Sequence, residues 1–175
     1  MLNPDWKQQL RAVHARGIAA WRSGERSPDR MWNPEDTGFL ASIGCTPREL
    51  FDFVEDLCCD GEPDLATVIA VQEIRKKHFE EVLHGKPAPR RARMEDLPPK
   101  SEAVDGISWL PRLIVKARLK LQGAMPDDLM YGCAGDRPFL RRMNSSLPEF
   151  LQLVCDHGED TQAIVQSFKK TAGLS

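Results

Sequence analysis

Apolar residues recur every three or four positions along most of the chain, the spacing of helices that bury one face. Trp6, Leu10, Val13, Gly17 and Trp21 form the first stripe, opened by Asn3-Pro4 and ended by Gly24. Leu50, Phe53, Val54 and Leu57 follow Thr46-Pro47-Arg48-Glu49, a capping box. In such a box the hydroxyl accepts from the amide three residues on, and the carboxylate reaches back to the cap's own amide. A further stripe, Leu65, Val68, Ile69, Ile74, Phe79 and Val82, starts from Asp64 and can run to His84. Later in the chain Ser108 can cap a helix carrying Leu110, Leu113, Ile114, Ala117 and Leu121, with Pro111 in its first turn and Gly123 as its stop. A second box, Ser146-Leu147-Pro148-Glu149, leads into Phe150, Leu151 and Val154, and a last helix starts at Asp160 and stops near Thr171. The alternation expected of strands is missing, so the pattern predicts an all-α fold.

The helices fall into two matching sets about 100 residues apart. Met31-Trp32 falls on Met130-Tyr131, Gly24 on Gly123, Asp36 on Asp136, Phe39-Leu40 on Phe139-Leu140, Thr46 on Ser146, and Glu49 on Glu149. Between the sets, Gly85 to Gly106 holds Pro87, Pro89, Pro98, Pro99 and the run Arg90-Arg91-Ala92-Arg93, which reads as an irregular linker. The expectation is two pseudo-repeated helical units, 1–84 and 107–175, joined by a Pro/Arg-rich linker over 85–106. Each is too small to bury much surface alone, so the two should share one core.

Composition narrows the class. A chain of 175 residues, 41% hydrophobic and 29% charged, is one medium domain or two small ones. It has no apolar run approaching the ~20 residues needed to cross a bilayer and no leader pattern at Met1-Leu2-Asn3-Pro4-Asp5, so it reads as soluble and cytoplasmic. Cys45, Cys58, Cys59, Cys133 and Cys155 are odd in number and scattered, which favours free thiols over a disulfide framework. The net charge of -2 hides an asymmetry: Pro34 to Ala66 carries nine acids against Arg48, whereas Ile107 to Arg142 carries seven bases against three acids. Such a two-faced distribution suits a protein partner or self-association.

Tyr131-Gly132-Cys133-Ala134-Gly135-Asp136-Arg137 is the most chemical-looking segment. A thiol at Cys133, close before a helix and near arginines, is the candidate catalytic nucleophile or redox group. The competing reading makes Asp136 a helix cap, Tyr131 a core residue and Cys133 packing, and no histidine near Cys133 in sequence completes a dyad. Arg112 and Lys116, one helical turn apart, could bind a small anion beside Tyr131, Cys133, Asp136 and Arg137, or pair with acids of the first half. Arg118 and Lys120 point elsewhere around the axis, and with a pI near 6.1 this argues against nucleic acid. Cys155 and His157, with Cys58, Cys59 or His84, lack the paired spacing of a zinc site, and no metal or cofactor is expected. Adjacent Cys58 and Cys59 could close only a strained vicinal disulfide.

The run Gly106-Ile107-Ser108-Trp109-Leu110-Pro111-Arg112-Leu113-Ile114-Val115-Lys116-Ala117-Arg118, with Tyr131-Gly132-Cys133 and Asp136-Arg137-Pro138-Phe139-Leu140, resembles the bacterial domain-of-unknown-function family numbered 5069. The resemblance spans about Gly106 to Gly173, with residues 1 to 85 as a diverged copy in which Trp32-Asn33-Pro34 replaces the Tyr-Gly-Cys loop. It implies a bacterial source and a small helical domain, and no activity. The resulting expectation is a non-enzymatic module that binds a protein or a small ligand. The alternatives are a thiol-dependent enzyme or redox-responsive protein using Cys133, and phosphate or nucleic-acid binding through the basic helix 112–120.

Overall fold

A computed structural model describes residues 5–174 and is built of helices: α1 (Trp6–Arg22), α2 (Pro28–Met31), α3 (Pro34–Ser42), α4 (Pro47–Asp60), α5 (Leu65–Glu81), α6 (Leu110–Gln122), α7 (Asp136–Arg142), α8 (Leu147–His157) and α9 (Thr161–Ala172). The all-α expectation is met. The proposed Asn3-Pro4 start lies outside the described residues. The chain divides into two compact units, Met1–Lys76 and Lys77–Ser175, with the boundary inside α5.

In unit 1, α1 packs on α4, and α2 packs on both. The core takes Leu10 and Val13 from α1, Leu40 from α3, and Leu50 and Val54 from α4, all essentially inaccessible to water. Each such side chain contributes about 1.5–3 kcal/mol by leaving solvent. Trp32 is also buried, and its Nε1 donates to Pro47 O at 3.1 Å. Asp36, at the start of α3, accepts from Arg16 Nε at 3.1 Å and from Arg16 Nη2.

In unit 2, α6 and α9 both pack on α8. Leu110, Leu113, Ala117, Phe150, Leu151, Val154 and Ile164 are fully buried, and Phe168 stacks on Phe139 and meets Phe150 edge-on. Tyr131 OH donates to Leu147 O at 2.7 Å, and Lys116 Nζ donates to Asp136. In each unit an aromatic side chain is therefore anchored to the first carbonyl of a helix, and an aspartate pairs with a base twenty residues before it.

The buried positions of α1, Leu10, Val13 and Gly17, and those of α6, Leu110, Leu113 and Ala117, stand 100 residues apart. So do the helix-ending residues Ser23 and Gly123, whereas matching Gly24 to Gly123 sets the register at 99. The buried faces are the better guide, because a helix end can drift by a residue without disturbing the core.

The starts of the helices divide into local successes and failures. Thr46 forms a complete capping box, with Glu49 N donating to Thr46 Oγ1 at 3.1 Å and Thr46 N to Glu49 Oε2 at 2.9 Å. Asp64 and Asp160 cap α5 and α9 as expected, accepting from Thr67 N at 2.8 Å and Ala163 N at 3.0 Å. The second box does not form. Ser146 Oγ instead donates to the Glu149 carboxylate at 2.7 Å, without capping the backbone. Thr46→Ala is accordingly expected to lower stability by about 1 kcal/mol and Ser146→Ala by much less, a difference that paired urea titrations measure directly. A larger loss for Ser146→Ala would contradict these bonding patterns.

Ser108 does not cap α6. The residue before α6 is Trp109, held at φ +75°, and Ser108 belongs to a two-residue strand. β1 (Ala103–Val104) and β2 (Ile107–Ser108) form an antiparallel hairpin closed by Asp105-Gly106, both at positive φ, as a tight two-residue turn requires. The segment 85–106 thus contains this strand and a short 3-10 turn at Met94–Asp96. It also makes backbone hydrogen bonds to α6 and the residue after its cap, Ala88 N to Gln122 O and Ala92 N to Ala124 O, both 2.9 Å. α5 ends at Glu81, short of His84.

Candidate functional site

Lys116 lies in the middle of α6 and faces inward, 2% exposed, toward the loop that enters α7. At the centre of that loop is Asp136, wholly buried. Its Oδ1 accepts from Trp109 Nε1 at 2.9 Å, and its Oδ2 accepts from Gly132 N at 2.9 Å and from Lys116 Nζ. Asp136 is the first residue of α7 and not its cap; Gly135 holds that position without a side-chain bond. The carboxylate ties the loop to α6.

The surrounding residues complete the tie. Trp109 covers Gly135, where an added Cβ would lie 2.6 Å from the indole, so only glycine fits beneath that ring. Arg137 is buried and donates from Nη1 to Gly132 O at 2.8 Å. Tyr131 is enclosed, and burial, with the Asp136 charge as a second cause, holds its phenol well above the usual tyrosine range, so it stays a neutral donor. Cys133 is half-buried, with Sγ 3.4 Å from Lys116 Nζ. Arg112 donates from Nη1 to Pro98 O at 2.8 Å.

Four of the six residues singled out in the sequence, Lys116, Cys133, Asp136 and, through Gly132, Arg137, therefore form one bonded network, and Tyr131 bonds Leu147 O instead. Lys116 meets an internal acid of its own unit, which occupies the ammonium that an anion would need. The rest of the basic helix is also turned inward: Lys120 is buried, and Arg118 donates to Gly158 O and Thr161 Oγ1, each at 3.0 Å. Of the metal candidates, Cys155 faces His78 Nδ1 at 3.7 Å, whereas His157 faces Ser167 Oγ. Burial raises the Cys155 thiol above its ordinary range. No group of ligands able to hold a metal ion is present among the described residues.

Comparison with protein-family models, with curated proteins and with solved structures finds no match.

A concave feature lies in unit 1 and has no counterpart in the sequence reading. Ile18, Trp21 and Arg22 of α1, Arg26 after it, and Leu57 and Cys58 of α4 line an open cleft of about 480 Å³. Arg26 lies over Trp21, its guanidinium carbon 3.7 Å from the ring centroid, and donates from Nη1 to Trp21 O and Glu25 O. Glu25 is turned away to Arg30, whose guanidinium holds that carboxyl below its usual range, with the Ser27 amide as a further cause. Cys58 is held above the ordinary thiol range by burial, against an opposing pull from Arg22 and Arg26. The sequence signal was available in the pair Arg22 and Arg26 flanking the end of a tryptophan stripe. It is faint because Arg26 reaches Trp21 only after the chain turns at Gly24, where φ is +98°.

Proposed function

We propose that this chain is a non-enzymatic binding protein made of two related helical units, and that its ligand is a small planar anion taken by the cleft of unit 1. The observation that carries this reading is the composition of that cleft: two guanidinium groups, an indole, two aliphatic side chains and a thiol, with no carboxylate among the lining residues. Its volume of about 480 Å³ suits a single small molecule, since ligand pockets run roughly 300–1,000 Å³. Arginine supplies paired donors for a carboxylate or phosphate, and Trp21 and the Arg26 guanidinium over it offer an aromatic and a cationic surface to a planar ring. Recognition of a folded partner would call instead for continuous apolar surface. The large apolar side chains exposed among the described residues are Val82 and Leu174.

Phenyl phosphate and naphthalene-1-sulfonate, with benzyl alcohol as the uncharged control, make the test concrete. Titration calorimetry of the full chain is expected to give saturable binding for both anions and none for the alcohol. Arg22→Ala combined with Arg26→Ala should weaken binding at least tenfold, with little change in thermal midpoint, because both arginines are exposed. Absence of saturable binding to either anion, or unchanged affinity in the double variant, would overturn the reading.

A further inference from the structure

We infer that Cys133 and Lys116 form a site of oxidative modification, at which hydrogen peroxide couples Sγ to Nζ as a sulfenamide. The two atoms come from different elements, the loop before α7 and the middle of α6, yet stand 3.4 Å apart with no atom needing to cross the core to join them. Lys116 cannot swing away. It is 2% exposed, and its ammonium is bound to Asp136, which Trp109 Nε1 and the Gly132 amide fix in turn. Cys133 is half-buried, so the residue is open in part to a small oxidant, whereas Lys116 is enclosed. The inference does not depend on the ligand cleft, which belongs to the other unit.

The chemistry closes with peroxide as sole co-reactant. One peroxide oxygen transfers to Sγ: the O–O bond breaks, an S–O bond forms, the thiol is oxidised to sulfenic acid and the peroxide is reduced to water. Lys116 passes one proton to the Asp136 carboxylate, and the freed amine attacks Sγ. The S–N bond forms as the S–O bond breaks, and the departing hydroxide takes a second proton from nitrogen and leaves as water. One peroxide is consumed, two waters are released, and the protein loses two hydrogens. A protein amine capturing a sulfenic acid is the same reaction that a backbone nitrogen performs when it forms a cyclic sulfenamide.

The test is peptide mapping by mass spectrometry of the full chain after mild peroxide treatment. The expected product is a tryptic pair joining the Lys116 and Cys133 segments, about 2 Da lighter than the sum of the two, with cleavage after Lys116 lost and both segments restored by a thiol reductant. Mapping separates this product from a disulfide of equal mass change elsewhere in the chain. Cys133→Ser should abolish the pair. Lys116→Arg, which keeps a cation for Asp136, should divert Cys133 to sulfinic acid; if that variant does not fold, the comparison of wild type with Cys133→Ser decides alone. Recovery of wild-type Cys133 as sulfinic acid, or unoxidised, with Lys116 still cleaved by trypsin, overturns the inference.

Discussion

Asp136→Ala is expected to lower the unfolding free energy by about 3–5 kcal/mol, the range for breaking a buried ion pair from one side. The carboxylate serves three donors: the Trp109 indole, the Gly132 amide and the Lys116 ammonium. Removing it strands an ammonium that is 2% exposed and leaves an amide and an indole N–H without their acceptor. Against a total stability of about 5–15 kcal/mol this is a large fraction. The same substitution in unit 1, Asp36→Ala, should cost much less. Arg16 is half-exposed and recovers water when its partner is removed. Changing both members of the inner pair, Asp136→Leu with Lys116→Met, should recover part of the loss, since an apolar pair leaves no uncompensated charge. Urea titrations of the four proteins, followed by circular dichroism, provide the measurement. A loss below about 1 kcal/mol for Asp136→Ala would remove the network from the list of structures that hold unit 2 together.

Gly17→Ala is the second large effect, and its sign runs against helix propensity. Alanine gains roughly 1 kcal/mol over glycine in a helix interior. Here the new Cβ would lie 2.3 and 2.8 Å from two ring carbons of Trp32 and 3.1 Å from a Val54 methyl. Trp32 is buried and tethered through Nε1 to Pro47 O, so the ring cannot yield without releasing that hydrogen bond. Overpacking of this kind costs about 1–3 kcal/mol, and with a lost hydrogen bond of about 1 kcal/mol it outweighs the propensity gain. Net destabilisation of about 1–3 kcal/mol is expected, visible as a lowered thermal midpoint with unchanged helical content. A midpoint at or above wild type would mean that Trp32 has room to move. In unit 2 the residue 100 positions on is Ala117, fully buried, and the aromatic side chain that donates to the first carbonyl of α8 is the smaller Tyr131.

What could be read from the chain follows the range of the forces involved. The Thr46 box, the Asp64 and Asp160 caps and the Gly123 stop depend on residues within four positions of one another, and each stands where the pattern placed it. The Ser146 box has the same local grammar, yet its hydroxyl chose the neighbouring carboxylate over the backbone. The hairpin carried a signal that helical periodicity obscured: Asp105-Gly106 between Val104 and Ile107 is a strong tight-turn dipeptide, and because Ile107-Ser108 pair as a strand, Ser108 is unavailable as a cap. The bond from Lys116 to Asp136 spans twenty residues, and only the return of the loop over α6 brings the two together. The sequence named both residues as candidates for a ligand, and folding turned them toward each other. The cleft beside Trp21 was least legible, since it needs the turn at Gly24 and a wall from α4.

Trp109 sits at positive φ, hydrogen-bonded through its indole to Asp136 and lying over Gly135, with Lys100 Nζ 5.7 Å from the ring centroid. Indole emission responds to hydrogen bonding and to nearby charge, so this ring is a built-in optical reporter of the protonation and covalent state of the network beneath it. A version of the chain in which Trp6, Trp21 and Trp32 are replaced by phenylalanine would isolate its signal, and unit 2 could then be followed in real time by light alone.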